Sequence, residues 1–180
     1  MVTPLEIDHA GWCSGAARVT SPNFDRRPAE SLVELVVIHA ISLPPGQFGG
    51  EAVGQLFTNE LDPAAHPYYA EIYELRVSAH FFIRRSGQLV QFVSCHDRAW
   101  HAGVSSWRAR ERCNDFSIGI ELEGDDETIF EEAQYQILNE LITELRRAFP
   151  ILDVVGHCDI APGRKTDPGS GFDWQRITQR

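Results

Sequence analysis

Apolar and polar positions alternate along this chain in ways that mark out most of its regular elements. The run Leu32-Val33-Glu34-Leu35-Val36-Val37-Ile38-His39 is rich in β-branched residues and apolar on both alternating faces, the pattern of a central strand covered on both sides. It feeds Ser42-Leu43-Pro44-Pro45-Gly46, which can neither continue a strand nor fill a helix interior. Residues 44–76 then read as a long Pro/Gly-rich loop insertion, with a short helix fitting over 51–57. Segments 77–84 and 88–93 flank Arg85-Ser86-Gly87, a hairpin signal with glycine in the turn. Residues 115–123 predict another strand, with Ile118, Ile120 and Leu122 on one face and Ser117, Gly119, Glu121 and Glu123 on the other.

Steps of three and four through Tyr135, Leu138, Leu141, Ile142, Leu145 and Phe149 mark an amphipathic helix over 128–149. Thr128-Ile129-Phe130-Glu131 reads as its capping box and Pro150 as its stop. A short strand over 154–157, a Pro/Gly-rich loop and a helical turn from Asp173 complete the pattern. Strands mixed with one long helix predict an α/β (α+β) domain built on a single mixed sheet flanked by helices. Residues 1–180 are expected to form one domain, with the 128–149 helix on one sheet face and the functional cleft on the other.

Charge and cysteine content narrow the function classes. The formal charge is −10, a poor match for a phosphate backbone or an anionic membrane surface. The apolar stretch 32–43 is interrupted by Glu34 and His39 and is far short of the roughly 20 residues that span a bilayer. Neither nucleic acid nor membrane is therefore an expected partner. The opening residues show no basic segment followed by an apolar one, so no secretory signal is expected. Cys13, Cys95, Cys113 and Cys158 are scattered, which suits reduced thiols and a cytoplasmic address.

Two histidines stand where strands run into irregular loops: His39 and His157. Asp167 follows His157 within Arg164-Lys165-Thr166-Asp167-Pro168-Gly169. Two imidazoles and a carboxylate suit a catalytic zinc with one position left for water. Spacing by itself equally admits hydrogen-bonded structural residues at all three positions. Glu121 and Glu123 share the polar face of their strand, and either carboxylate could act as base; Gly119 leaves space beside Glu121. His9, His66 and His96 read as surface residues, and His80, beside Phe81 and Phe82, as a satisfied core imidazole. Trp100-His101-Ala102-Gly103 suits a wall facing a sugar ring.

Several blocks carry a family resemblance: Val36-Val37-Ile38-His39-Ala40-Ile41-Ser42-Leu43-Pro44-Pro45-Gly46, Val77-Ser78-Ala79-His80, Arg98-Ala99-Trp100-His101-Ala102-Gly103, Asn114-Asp115-Phe116-Ser117-Ile118-Gly119-Ile120-Glu121-Leu122-Glu123-Gly124, and Gly156-His157-Cys158-Asp159-Ile160-Ala161-Pro162-Gly163-Arg164-Lys165-Thr166-Asp167-Pro168-Gly169. Together they resemble the N-acetylmuramoyl-L-alanine amidase type 2 family over nearly the whole chain. The 44–76 segment and the Arg110-Glu111-Arg112-Cys113-Asn114-Asp115 run resemble its cytosolic branch, the 1,6-anhydro-N-acetylmuramyl-L-alanine amidases of wall recycling.

The resemblance implies a peptidoglycan-recognition/amidase-like fold with a Zn2+ cleft. It implies metal ligands at His39, His157 and Asp167, an acid/base residue at Glu121 and a transition-state cation at Lys165. Cys158, next to His157, is expected to be a structural thiol directed away from the metal. The implied reaction cuts the amide between (anhydro)muramic acid and L-alanine of a small soluble muropeptide, and the enzyme is expected to work as a monomer. Arg76 and Arg112 flank the resembling segments and are expected to grip the peptide stem's carboxylates. Two alternatives stand beside this reading: a non-catalytic module that recognises wall fragments, and a zinc peptidase or deacetylase of other specificity. The 44–76 loop is placed to close over such a site.

Overall fold

The computed structural model describes residues 4–178. In chain order its regular elements are β1 (Ala17–Arg18), β2 (Phe24–Arg26), β3 (Leu35–Ile41), α1 (Ala52–Thr58), α2 (Pro67–Ile72), β4 (Phe81–Ile83) and β5 (Leu89–Gln91). There follow β6 (Asp97–Ala99), β7 (Ser106–Trp107), β8 (Arg110–Glu111), β9 (Ser117–Glu123), α3 (Glu132–Ala148), β10 (Asp153–Gly156) and α4 (His157–Ile160). Six strands make one mixed sheet in the order β1-β5-β4-β9-β3-β10. Only the β4–β5 hairpin is antiparallel within it; β1–β5, β4–β9, β9–β3 and β3–β10 all run parallel. The pairs β2–β6 and β7–β8 form two small separate ribbons.

The middle of the sheet follows directly from its apolar pattern. Val36 and Ile38 of β3, with Ile118, Ile120 and Leu122 of β9, pack against Leu138, Leu141, Ile142 and Leu145 of α3. Leu35 and Val37 face the other way and pack with Val155, Cys113, Phe116 and Ile160. Both faces of β3 are thus covered, and each fully buried aliphatic side chain contributes about 1.5–3 kcal/mol. His39 follows Val37 on the face away from α3, because side chains alternate along a strand.

Several boundaries differ from the sequence pattern. Helix α3 begins at Glu132 rather than residue 128, and its capping box is Glu131 with Gln134. Thr128 gives its backbone N–H and its hydroxyl to Asp125 instead, closing a turn before the helix. Gln134 also donates to the carbonyls of Ile83 and Glu123, which ties the helix start to the ends of β4 and β9. The hairpin is shorter than 77–84 and 88–93, but its turn is as expected: Gly87 has φ +83°, where a side chain is disfavoured. Residues 113–115 form a 3-10 turn, so β9 starts at Ser117. His157 is the first residue of α4 rather than the last of a strand.

The 44–76 segment holds two helices, α1 and α2, where the sequence reads mainly as loop. Helix α1 buries Ala52, Val53, Leu56 and Phe57 in a second apolar cluster with Phe82, Val90 and Phe92, so the segment is packed down on the sheet face that β4 and β5 present.

Candidate active site

Parallel strands deliver their C-terminal ends to one edge of the sheet, and the register decides which residues meet there. His39 on β3 is paired with Glu121 on β9. Gly156, the last residue of β10, is paired with Ile38. The next residue, His157, therefore arrives beside His39. Asp167 comes from the following loop, held by a 2.9 Å hydrogen bond from the Cys158 N–H to its carbonyl oxygen.

Three heads converge as a result. His39 Nδ1 and His157 Nδ1 are 2.9 Å apart, and Asp167 Oδ2 lies 3.2 Å from the first and 3.1 Å from the second. Tetrahedral ligands at the 2.0–2.1 Å distances of zinc stand about 3.3 Å from one another, close to this triangle. Calcium, which takes six to eight oxygens at about 2.3–2.6 Å, suits it poorly. His157 Nε2 lies 3.1 Å from the carbonyl oxygen of Ala102. That oxygen can only accept, so Nε2 carries the proton and Nδ1 offers its lone pair to the centre. Nitrogen and carboxylate donors turned toward one point fit a divalent cation. His39, His157 and Asp167 are the one such cluster among the described residues, and Cys158 is not in it.

Burial sets the charge states. It lowers the His39 pKa to about 4, against a hydrogen bond with Asp167 that works the other way. Burial alone would raise the Asp167 carboxyl, but the imidazoles of His157 and His39 beside it hold it well below the carboxylate range. Both shifts describe an ionised carboxylate beside neutral imidazole at neutral pH. Burial and the neighbouring Asp167 push Glu121 well above the usual value, opposed by Lys165.

The two candidate glutamates separate cleanly. Glu121 Oε1 stands 4.0 Å from His39 Nδ1, and Oε2 is buried without a hydrogen-bond partner. Glu123 is spent on structure: Oε1 accepts the Gly49 N–H at 2.5 Å and Oε2 the Arg85 N–H at 2.9 Å. The free buried oxygen is the one available for proton transfer.

A cavity of about 660 Å³ opens over this cluster and is lined by His39, Glu121, His157, Lys165 and Asp167. Trp100, Leu56 and Phe57, with Tyr68 and Ile72 of α2, give it an apolar wall. Lys165 is exposed on the rim. The two arginines expected to grip substrate are placed elsewhere. Arg76 donates to the carbonyl of Tyr73, and Arg112 pairs with Asp115 at 3.3 Å and lines a separate depression with Arg164 and Glu111. Neither lines the main cavity, because proximity in sequence to a site strand does not fix where either long side chain points.

His101, expected in a wall facing a sugar ring, does line the cavity but also touches His39, and Ser117 and Arg27 stand behind it without the sequence having marked them. His101 Nδ1 lies 2.9 Å from His39 Nε2, and His101 Nε2 lies 3.1 Å from Ser117 Oγ. Burial, then the neighbouring His39 and His80, push the His101 pKa well down. The available signal is Gly119, a glycine inside a strand. A Cβ there would stand 2.4 Å from His101 Cγ, so the space it leaves is taken by this ring and not by Glu121. Beneath lies Arg27, whose guanidinium donates to the carbonyls of Asn114, Asp115, Cys95 and Ser117 and whose pKa burial lowers to about 10. His80 is fully buried and accepts the Gly119 N–H at Nδ1, the satisfied core imidazole expected of it. His9 and His96 are exposed, and His66 caps α2.

Comparisons with known proteins agree with this geometry. A family model described as N-acetylmuramoyl-L-alanine amidase matches residues 28–170. The chain is 56% identical over 169 residues to the 1,6-anhydro-N-acetylmuramyl-L-alanine amidase AmpD of Escherichia coli (strain K12), covering 93% of this chain and 92% of that protein. Among solved structures, the crystal structure of a selenomethionine AmpD derivative superposes with a TM-score of 0.91 at 55% identity, covering 93% of this chain and 95% of that one. The amidase AmiD from E. coli, solved with anhydro-N-acetylmuramic acid-L-Ala-D-γ-Glu-L-Lys, gives a TM-score of 0.61 at 30% identity, covering 86% and 60%.

Proposed function

This chain belongs to the N-acetylmuramoyl-L-alanine amidase family, enzymes that hydrolyse an amide, and from that membership we propose how its own site works. The substrate is a small soluble muropeptide, and the bond cut joins the lactyl group of 1,6-anhydro-N-acetylmuramic acid to L-alanine. The names of its AmpD relatives and the ligand of the AmiD complex support that choice. Residues 1–180 act as one amidase domain.

His39, His157 and Asp167 hold the metal, read as Zn2+. Bound there, zinc supplies Lewis acidity and lowers the pKa of water to about 7. Glu121, through its unpartnered Oε2, takes the proton from the attacking water and returns it to the departing alanine nitrogen, a transfer contributing ~10²–10⁴-fold. Burial and Asp167 raise its affinity for protons in the metal-free site, and a divalent cation bound beside it would favour the ionised carboxylate that this step requires. Lys165 on the rim donates a charge-assisted hydrogen bond to the oxygen of the scissile carbonyl as negative charge develops. The apolar wall of α1 and α2 excludes water around the reacting bond.

One observation carries the reading: a convergent donor triangle with a buried, unsatisfied carboxylate oxygen beside it. A module that only binds wall fragments has no use for that costly oxygen, and a zinc peptidase or deacetylase would release different products. No helix among the described residues is long and apolar enough to cross a membrane, and all four cysteines are free, which supports a cytoplasmic address.

Mass spectrometry of purified protein incubated with anhydromuropeptide, with intact sacculi and with a chelator tests the proposal. Release of intact stem peptide, abolished by the chelator and restored by zinc, is the expected result. Binding without release, or release of single amino acids or acetate, would overturn it.

A further inference from the structure

We infer that His101 is a positioning residue: it fixes the tautomer of His39 through a one-way chain of hydrogen bonds that starts at the Cys113 carbonyl. The inference rests on the metal site proposed above and concerns how the bare protein prepares one of its ligands.

The direction follows from the far end. The carbonyl oxygen of Cys113 can only accept, and Ser117 Oγ lies 2.6 Å from it, so the serine hydroxyl spends its one proton there. Ser117 Oγ must then accept at its other contact, 3.1 Å away, which places a proton on His101 Nε2. A neutral imidazole carries one N–H, so His101 Nδ1 has a lone pair. That lone pair faces His39 Nε2 at 2.9 Å and accepts its N–H. His39 Nδ1 is left bare, directed at His157 Nδ1 and Asp167 Oδ2.

The seat of His101 is built for this. Its ring fills the space left by the missing side chain of Gly119, and the Asn114 side-chain oxygen accepts from the His101 and Ala102 N–H groups at 3.2 and 2.8 Å. The same short stretch orients both imidazole ligands: Ala102 through its carbonyl to His157, and His101 through its ring to His39. Without His101, the His39 proton has no fixed partner at Nε2 and can sit on Nδ1, where it blocks the lone pair a metal needs.

Long-range 1H–15N spectra of metal-free, histidine-labelled full chain report which nitrogen carries each proton, with His39 assigned from His39→Gln. Wild-type protein is expected to show His39 protonated at Nε2 and bare at Nδ1. Ser117→Ala removes the acceptor for His101 Nε2, and a fraction of the His39 proton is expected to move to Nδ1. In His101→Phe, shown by circular dichroism to be folded, zinc affinity from chelator competition is expected to fall about 10–100-fold. His39 protonated at Nδ1 in wild type, unchanged tautomers in Ser117→Ala, or wild-type zinc affinity in folded His101→Phe would each overturn the inference. Failure of wild-type protein to bind zinc would sink the metal reading instead, while the metal-free spectra still decide the hydrogen-bond chain.

Discussion

His39 and Glu121 face each other across two neighbouring parallel strands, the proposed ligand and the proposed acid/base group held at the same rung with 4.0 Å between Nδ1 and Oε1. Neither is positioned by a loop. The ladder that forms the core therefore also sets the distance between these two side chains, and that rigidity is what a pre-organised site requires.

Glu121→Gln should separate chemistry from stability. Turnover is expected to fall ~10²–10⁴-fold with zinc binding retained. The metal-free variant should melt at or above the wild-type temperature, because it no longer buries an unsatisfied ionisable oxygen. Calorimetry beside a peptide-release assay checks this. Loss of both stability and metal would assign Glu121 to structure.

Glu123→Gln should do the reverse. Its carboxylate accepts two backbone N–H groups, and an amide has one oxygen with which to accept them. The expected cost is about 1.5–3 kcal/mol in a urea melt. Activity per folded molecule should stay near wild type; a selective drop in kcat would show that Glu123 takes part in catalysis.

Lys165→Met removes the rim cation while keeping a long side chain. A donor that acts as charge develops is felt in kcat, and a loss of ~10²–10³-fold is expected with KM little changed. A rise in KM alone would make Lys165 a ground-state contact.

Acid should weaken the metal-free protein before its carboxylates titrate. Burial holds His39 at about 4 and His80 well below 6.5. Unfolded, both titrate near 6.5, so from about 6.5 down to 4 the unfolded chain binds protons that the native one refuses, and stability falls. Above that window both states are neutral and the effect vanishes. The slope is up to ~1.4 kcal/mol per pH unit for each imidazole. His101, which burial also pushes well below 6.5, adds in the same direction. Glu121 works the other way above about 4.5, because its carboxyl stays protonated in the folded state while the unfolded one ionises. Urea midpoints in chelator at about pH 7.5 and about pH 5 should therefore drop, and Glu121→Gln should steepen the drop. A midpoint that rises on acidification would contradict the assignment.

Much of the fold is legible in the order of residues alone. The two-sided apolar run of β3, the alternation of β9 and the three-and-four spacing of α3 each report burial directly, and burial is what shapes those elements. The short strands β1, β2 and β6–β8 carry two or three residues each, too few for any period to show. Thr128 and Glu131 both offer acceptor side chains ahead of the helix, and only the tertiary tie from Gln134 to Ile83 and Glu123 selects the later start. The convergence of His39, His157 and Asp167 is legible only through resemblance, since strand-end spacing does not distinguish candidate ligands from structural residues. The roles of Arg27 and His101 are not legible in this way, because they depend on carbonyls and rings brought in from distant segments.

The pairing of Gly156 with Ile38 makes the β3–β10 ladder a ruler for the candidate metal site. One apolar residue inserted between positions 153 and 156 would add no charge. It would nonetheless turn the second imidazole through the sheet to the wrong side, since parity along a strand cannot be half kept. Such an insertion would break the candidate donor triangle and would also misplace Val154 or Val155, which are buried on opposite faces of the sheet.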